Sequence, residues 1–108
     1  MISQLEKLLG TPRDGALLRY SLGLEYAKAG NHARAVEYLR EAVTRDPLYS
    51  AAWKALGKAL LESNFLDQAL EAYREGIAAA KQKGDRQAEK EMTVFARRLE
   101  KRLGEKPG

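Results

Sequence analysis

Sliding the 108-residue sequence along itself by 34 positions brings Leu22-Gly23 onto Leu56-Gly57, Ala35 onto Ala69, Glu37 onto Glu71 and Arg40-Glu41 onto Arg74-Glu75, without a gap. Val36 falls on Leu70, Leu39 on Tyr73 and Val43 on Ile77 in the same register. Self-similarity at such a period marks a chain built from stacked supersecondary units, each of which leaves an apolar face for its neighbour to cover. The residues that fill the repeat are mostly Ala, Leu, Glu, Lys and Arg, all strong helix formers.

Each unit reads as two helices. Thr11-Pro12-Arg13-Asp14 has the order of a helix start: a capping hydroxyl, proline at the first helical position and an acid in the first turn. That helix is predicted to run to about Ala29, where Gly30 can take the left-handed conformation that ends it. Asn31 then caps a second helix that finishes near Asp46-Pro47. In the next unit Pro47 opens a helix ending near Ser63-Asn64, and another spans about Leu66 to Gln82. Gly23 and Gly57 stand mid-helix, where glycine costs about 1 kcal/mol relative to alanine. The same exception at the same register predicts close helix approach, with Ala35, Ala42, Ala69 and Gly76 as small facing surfaces.

These residues resemble the tetratricopeptide repeat, whose pattern is Trp-x2-Leu-Gly-x2-Tyr, then Ala-x3-Phe, then Pro. The second unit has Trp53, Leu56, Gly57, Leu60, Ala69 and Tyr73; the first has Leu22, Gly23, Tyr26, Ala35, Leu39 and Pro47. Arg19 replaces the tryptophan of the first unit, which predicts a surface less well buried or covered by something polar. Lys81 replaces the proline of the second, which predicts a longer last helix. The resemblance implies an all-α chain of about six helices, with antiparallel hairpins stacked as a short right-handed superhelix.

A third copy fails: Gln87, Lys90, Glu91 and Val94 stand where the pattern wants Trp, Leu, Gly and Tyr. Ala88, Met92, Phe95, Leu99 and Leu103 instead form one apolar stripe, suited to a helix that closes the open end of the stack. At the other end Ser3-x-x-Glu6 has the form of a capping box opening a short helix, whose apolar face would be Ile2, Leu5, Leu8 and Leu9. The expected organisation is one domain: an N-terminal helix over 1–10, repeats over 14–47 and 48–83, a capping helix over 85–103 and a tail over 104–108.

Catalytic and metal signatures are missing from the sequence. It contains no cysteine, and His32, its one histidine, follows the Asn31 cap as a solvated first-turn residue would. No phosphate loop, nucleophile elbow or dinucleotide fingerprint occurs. The expectation is a non-enzyme without a cofactor. The first residues lack the basic-then-apolar order of a signal peptide, and no apolar run is long enough to span a bilayer, so the chain is expected in the cytoplasm.

The resemblance implies that the first helix of each hairpin lines a concave face that holds peptides or helices of other proteins. On the residues themselves, that face would carry Leu17, Tyr20, Leu24 and Lys28 from the first hairpin and Lys54, Lys58 and Leu61 from the second. An apolar stripe beside two lysines suits an amphipathic or acidic-apolar peptide. The competing reading is that Leu17, Tyr20 and Leu24 pack under the N-terminal helix through Leu5, Leu8 and Leu9. Relatives that hold the acidic C-terminus of heat-shock chaperones use cationic and amide side chains on this groove. The matching places here, Tyr20, Leu24, Ala55, Asp85 and Glu89, carry no suitable donor.

Charge suggests a second surface. Residues 1–80 hold 10 Lys/Arg and 10 Asp/Glu, whereas residues 81–108 hold 9 Lys/Arg and 5 Asp/Glu. On a helical wheel Arg86, Lys90, Arg97, Arg98, Lys101 and Arg102 spread over the side opposite Met92, Phe95 and Leu99. Such a face could meet an acidic surface, although the scarcity of free aromatics argues against nucleic acid. A solvated face is the simpler reading. The chain is therefore expected to be an adaptor, with anion binding or self-association as alternatives, and to be a monomer or weak homo-oligomer.

Overall fold

A computed structural model describes residues 1–104. Six helices make up the described residues: α1 (Ile2–Glu6), α2 (Ala16–Lys28), α3 (His32–Arg45), α4 (Ser50–Glu62), α5 (Leu66–Lys83) and α6 (Arg86–Arg102). The tail expected over 104–108 lies, beyond Gly104, outside the described residues. Helices α2 and α3 form one antiparallel hairpin, α4 and α5 the next, and α6 packs on α5. The stack measures 45 × 29 × 18 Å, the elongated shape of units laid side by side.

The breaks between helices follow local chemistry. Gly30 (φ +80°) and Gly84 (φ +76°) take the left-handed conformation at the ends of α2 and α5. Asn64, 34 positions after Gly30, takes it at φ +66°, as asparagine tolerates better than most residues. Asn31 accepts a hydrogen bond from the Arg34 amide at 3.2 Å, and Asp85 one from the Ala88 amide at 3.1 Å, so α3 and α6 are side-chain capped. Helix α5 spans 18 residues against 14 for α3, the extension that Lys81 predicts.

Three predicted starts differ. The Ser3/Glu6 capping box does not form: α1 begins at Ile2 without a side-chain cap, and its last turn loosens after Glu6. The Glu6 carboxylate is drawn instead to tyrosines of the first hairpin. Thr11 to Gly15 is a turn rather than the first turn of α2, because Asp14 accepts from the Gly10 amide at 2.9 Å and from the Arg19 guanidinium at 2.8 Å. Pro47 likewise precedes α4 by three residues; Asp46 accepts from the Leu48 amide at 3.2 Å, and the Trp53 indole donates to the Pro47 carbonyl at 2.8 Å.

The core falls into two clusters, one running from α3 through α4 and α5 to α6, the other made by Leu18, Leu22 and Tyr38 under α1. Leu22, Leu39, Leu56, Leu60, Tyr73, Met92 and Leu99 are fully buried. Burying one such aliphatic side chain contributes roughly 1.5–3 kcal/mol. The surfaces facing the glycines are not small ones. A Cβ added at Gly23 would lie 2.5 Å from Leu39 Cγ, and one at Gly57 would lie 2.7 Å from Cε1 and Cζ of Tyr73. Each glycine is thus a notch that admits a large side chain of the partner helix, and Gly76 receives Met92 in the same way. The predicted stripe on α6 is the one buried, with Ala88, Phe95 and Leu103 partly covered beside Met92 and Leu99.

Arg19 has the polar cover that the sequence implies. Its guanidinium meets Asp14 at 2.8 Å and Glu41 at 2.9 Å, with its side chain only 13% exposed. Helix α1 lies elsewhere, on Leu18, Leu22, Tyr26 and Tyr38 through Ile2, Leu5, Leu8 and Leu9. Ser50, the buried first residue of α4, donates to Asp85 at 3.2 Å and ties that helix to the start of α6.

Candidate functional site

Helices α2, α4 and α6 share one face of the stack, and two cavities open between them. The first, of 310 Å³, lies between α2 and α4 and is lined by Leu24, Glu25, Ala27, Lys28, Leu39, Ala55, Lys58, Ala59 and Glu62. The second, of 300 Å³, lies between α4 and α6 and is lined by Lys54, Lys58, Leu61, Glu62, Tyr73, Glu91 and Phe95. Both volumes stand at the low end for ligand sites, which suits side chains of a docked segment better than an enclosed substrate. Lys58 and Glu62, one turn apart on α4, form the ridge shared by both.

Five of the seven residues expected on this face line the cavities: Leu24, Lys28, Lys54, Lys58 and Leu61. Leu17 lines neither and is 67% exposed. Tyr20 also lies outside them, its ring against Tyr49 with centroids 4.9 Å apart. The competing reading of these leucines is overturned, because α1 packs on Leu18 and Leu22 and leaves the α2/α4 groove open.

Charges on the face are mostly paired. Lys54 meets Glu91 of α6 at 3.1 Å, and Lys28 meets Glu25 at 3.4 Å. Glu62 faces His32 Nε2 at 3.4 Å. His32 is therefore not the solvated first-turn residue expected: it is half-buried, and its Nδ1 has no hydrogen-bond partner. A contact thirty residues away in sequence leaves no local signal. Lys58 forms no ion pair among the described residues. Burial pushes the Tyr73 hydroxyl up to about 12, and the nearby Glu62 charge adds to the shift.

The basic residues of α6 divide by direction. Arg98 lies over the Phe95 ring at 5.7 Å. Arg86 and Lys90 border a shallow concavity with Lys81, Gly84 and Glu89. Arg97, Lys101 and Arg102 are exposed. Among the described residues no group of three His, Cys, Asp or Glu side chains is arranged to hold a metal ion, and no helix is long and apolar enough to cross a membrane.

Comparison with known proteins agrees with this architecture. The family model of the tetratricopeptide repeat matches residues 20–84. A TPR repeat-containing protein of Pseudomonas aeruginosa is 50% identical over 101 residues, which cover 94% of this chain and 96% of that protein. A Bordetella parapertussis protein solved in solution superposes with a TM-score of 0.80 at 41% identity, covering 94% of this chain and 89% of its own. The Sgt2 TPR domain of Aspergillus fumigatus gives a TM-score of 0.78 at 28% identity, covering 99% of this chain and 72% of that one. With the two-unit register, the glycine notches and the paired hairpins all in place, the chain belongs to the tetratricopeptide-repeat family.

Proposed function

We propose that this chain is a non-catalytic adaptor that docks a peptide or helix of a partner protein on the face formed by α2, α4 and α6. The observation that carries the reading is the run of Leu24, Lys28, Lys58 and Leu61 across two adjoining cavities on that face. Small floors at Ala27, Ala55 and Ala59 leave room for incoming side chains, and the charged rim supplies orientation. Affinity capture from lysate of the source organism, with wild type beside Lys58→Glu, tests it. Capture of a partner by wild type alone is the expected result. Equal capture by both proteins would overturn it.

A second reading places an acidic partner on α6. It is favoured by the concavity where Lys81 joins Arg86 and Lys90, with Arg97, Arg98, Lys101 and Arg102 further along the helix. Binding to acidic vesicles or polyanions that falls steeply with salt, and is lost in Arg86→Glu/Lys90→Glu, is its test. Absence of binding at low salt would remove it.

A further inference from the structure

The two repeat units keep the same acids but not the same arginines. In the first unit Arg34 meets Glu37 at 3.1 Å, and Arg19 meets Glu41 at 2.9 Å. Thirty-four positions later the acids return as Glu71 and Glu75, while the arginines are replaced by Gln68 and Trp53. Glu71 and Glu75 form no ion pair among the described residues, and with Asp67 they recur every four residues along the exposed side of α5. Two cations stand near them, and both are engaged: Arg40 donates to Gln68 at 2.7 Å, and Arg74 meets Glu100 at 3.0 Å.

Helix α6 shows the opposite imbalance. It buries Met92, Ala96 and Leu99. On the opposite side Arg86, Lys90, Val94, Arg97 and Lys101 are all exposed, at spacings of four, four, three and four. The acids of α6 lie off this stripe. Glu91 is held by Lys54 on α4 and Glu100 by Arg74 on α5, while Glu89 borders the concavity at the Arg86 end. None of the four stripe cations forms an ion pair among the described residues. Like charges four apart weaken a helix that stands alone in water, and an acidic surface laid along them reverses the sign.

We infer that the chain pairs with a second copy of itself, Arg97 and Lys101 of one copy meeting Glu71 and Glu75 of the other. Each side offers two charges one helical turn apart, so the stripes match in spacing as well as in sign. Stripes on the neighbouring helices α5 and α6 let two copies satisfy both at once, which closes a dimer. The inference rests on the reading of α6 as the contact for an acidic partner and identifies that partner. Neither stripe lines a cavity of the concave face, which stays free in the dimer. Exposed ion pairs are individually weak, so the dimer is expected to have a Kd of roughly 0.1–1 mM at low salt.

Sedimentation equilibrium of the full chain tests this. At low salt the mass is expected to rise with concentration from monomer towards dimer, and to return to monomer at high salt. Arg97→Glu/Lys101→Glu and Glu71→Lys/Glu75→Lys exchange exposed residues only, so both variants are expected to fold. Each alone is expected to be monomeric. Their equimolar mixture is expected to recover the dimer, because the reversed stripes match each other and the unreversed ones match as before. Lys7→Glu/Arg13→Glu, with the same change of charge at the other end of the chain, is expected to dimerise like wild type. A dimer that persists in both α5 and α6 variants, or a mixture that stays monomeric, would overturn the pairing. Growth beyond two copies would overturn the reciprocal closure. Wild type that stays monomeric yet binds phosphatidylserine vesicles or duplex DNA would overturn the pairing while leaving α6 to a foreign acidic partner.

Discussion

The hydroxyl of Tyr38 donates to the Glu6 carboxylate at 3.0 Å, across 32 positions of sequence, and Tyr26 donates to the same oxygen at 2.8 Å. Arg34 lies 5.4 and 5.3 Å from the centres of the two stacked rings and 3.6 Å from that carboxylate. These contacts fasten a helix of only five residues, too short to hold itself. Glu6→Ala is therefore expected to free the N-terminal segment. Amide exchange across residues 2–9 should rise, while amides of α4 and α5 keep their protection.

The pH dependence of this fastening has a definite sign. Hydrogen bonds from the two tyrosines hold the Glu6 pKa below its ordinary value, and those from Arg19 and the Gly10 amide hold Asp14 down at about 2. For both groups the stabilising contribution is present above the unfolded carboxylate value, about 4, and is lost as pH falls through the lowered folded value. Carbon-detected titration should find Asp14 with a midpoint near 2 and Glu6 below the free glutamates. In Arg19→Met the Asp14 midpoint should return towards the ordinary range.

Filling the glycine notches should cost stability although alanine is the better helix former. The gain in propensity is about 1 kcal/mol, and overpacking a core costs about 1–3 kcal/mol. Gly57→Ala is expected to be the worse of the pair, because its new methyl meets the rigid ring of Tyr73 while Gly23→Ala meets a leucine that can turn. Urea unfolding of both variants measures the order.

At the α4–α5 turn, the second unit does with Asn64 and Phe65 what the first does with Gly30 and Asn31. Phe65 is 54% exposed and supplies no side-chain cap to α5. Phe65→Asn is expected to stabilise by about 1 kcal/mol, the usual worth of a cap. Asn64→Gly should add a smaller gain by relieving a positive φ. Thermal melts of the single and double variants decide both.

Lys54 and Lys58 should respond differently to charge reversal. Lys54→Glu sets a carboxylate against Glu91, whereas Lys58→Glu disturbs no ion pair among the described residues. The double swap Lys54→Glu/Glu91→Lys is expected to recover the stability lost in Lys54→Glu, by up to about 1 kcal/mol for a partly exposed pair. A double-mutant cycle reads the coupling.

The helices, their order and the buried stripe of α6 were legible because periodicity and end signals are local. Contacts between distant residues were not. Glu6 reads as half of a capping box from its spacing to Ser3, and nothing local reveals the two tyrosines that claim it. Glycines at 23 and 57 correctly announce a close approach, but the size of what approaches depends on the rotation of the facing helix. His32 looks solvated until α4 brings Glu62 beside it. On the candidate face, Lys58 and Leu24 were visible from helical spacing. Tyr73 was visible only as core, because nothing in its spacing reveals that it also lines the cavity between α4 and α6.

The outward side of α6 is poorly suited to a further unit. A further hairpin stacked there would have to strip water from Lys90, Arg97 and Lys101, with only the exposed Val94 among them to reward it. At the opposite end α1 covers Leu18 and Leu22. Among the described residues, one end of the stack is thus covered by apolar side chains and the other by charge.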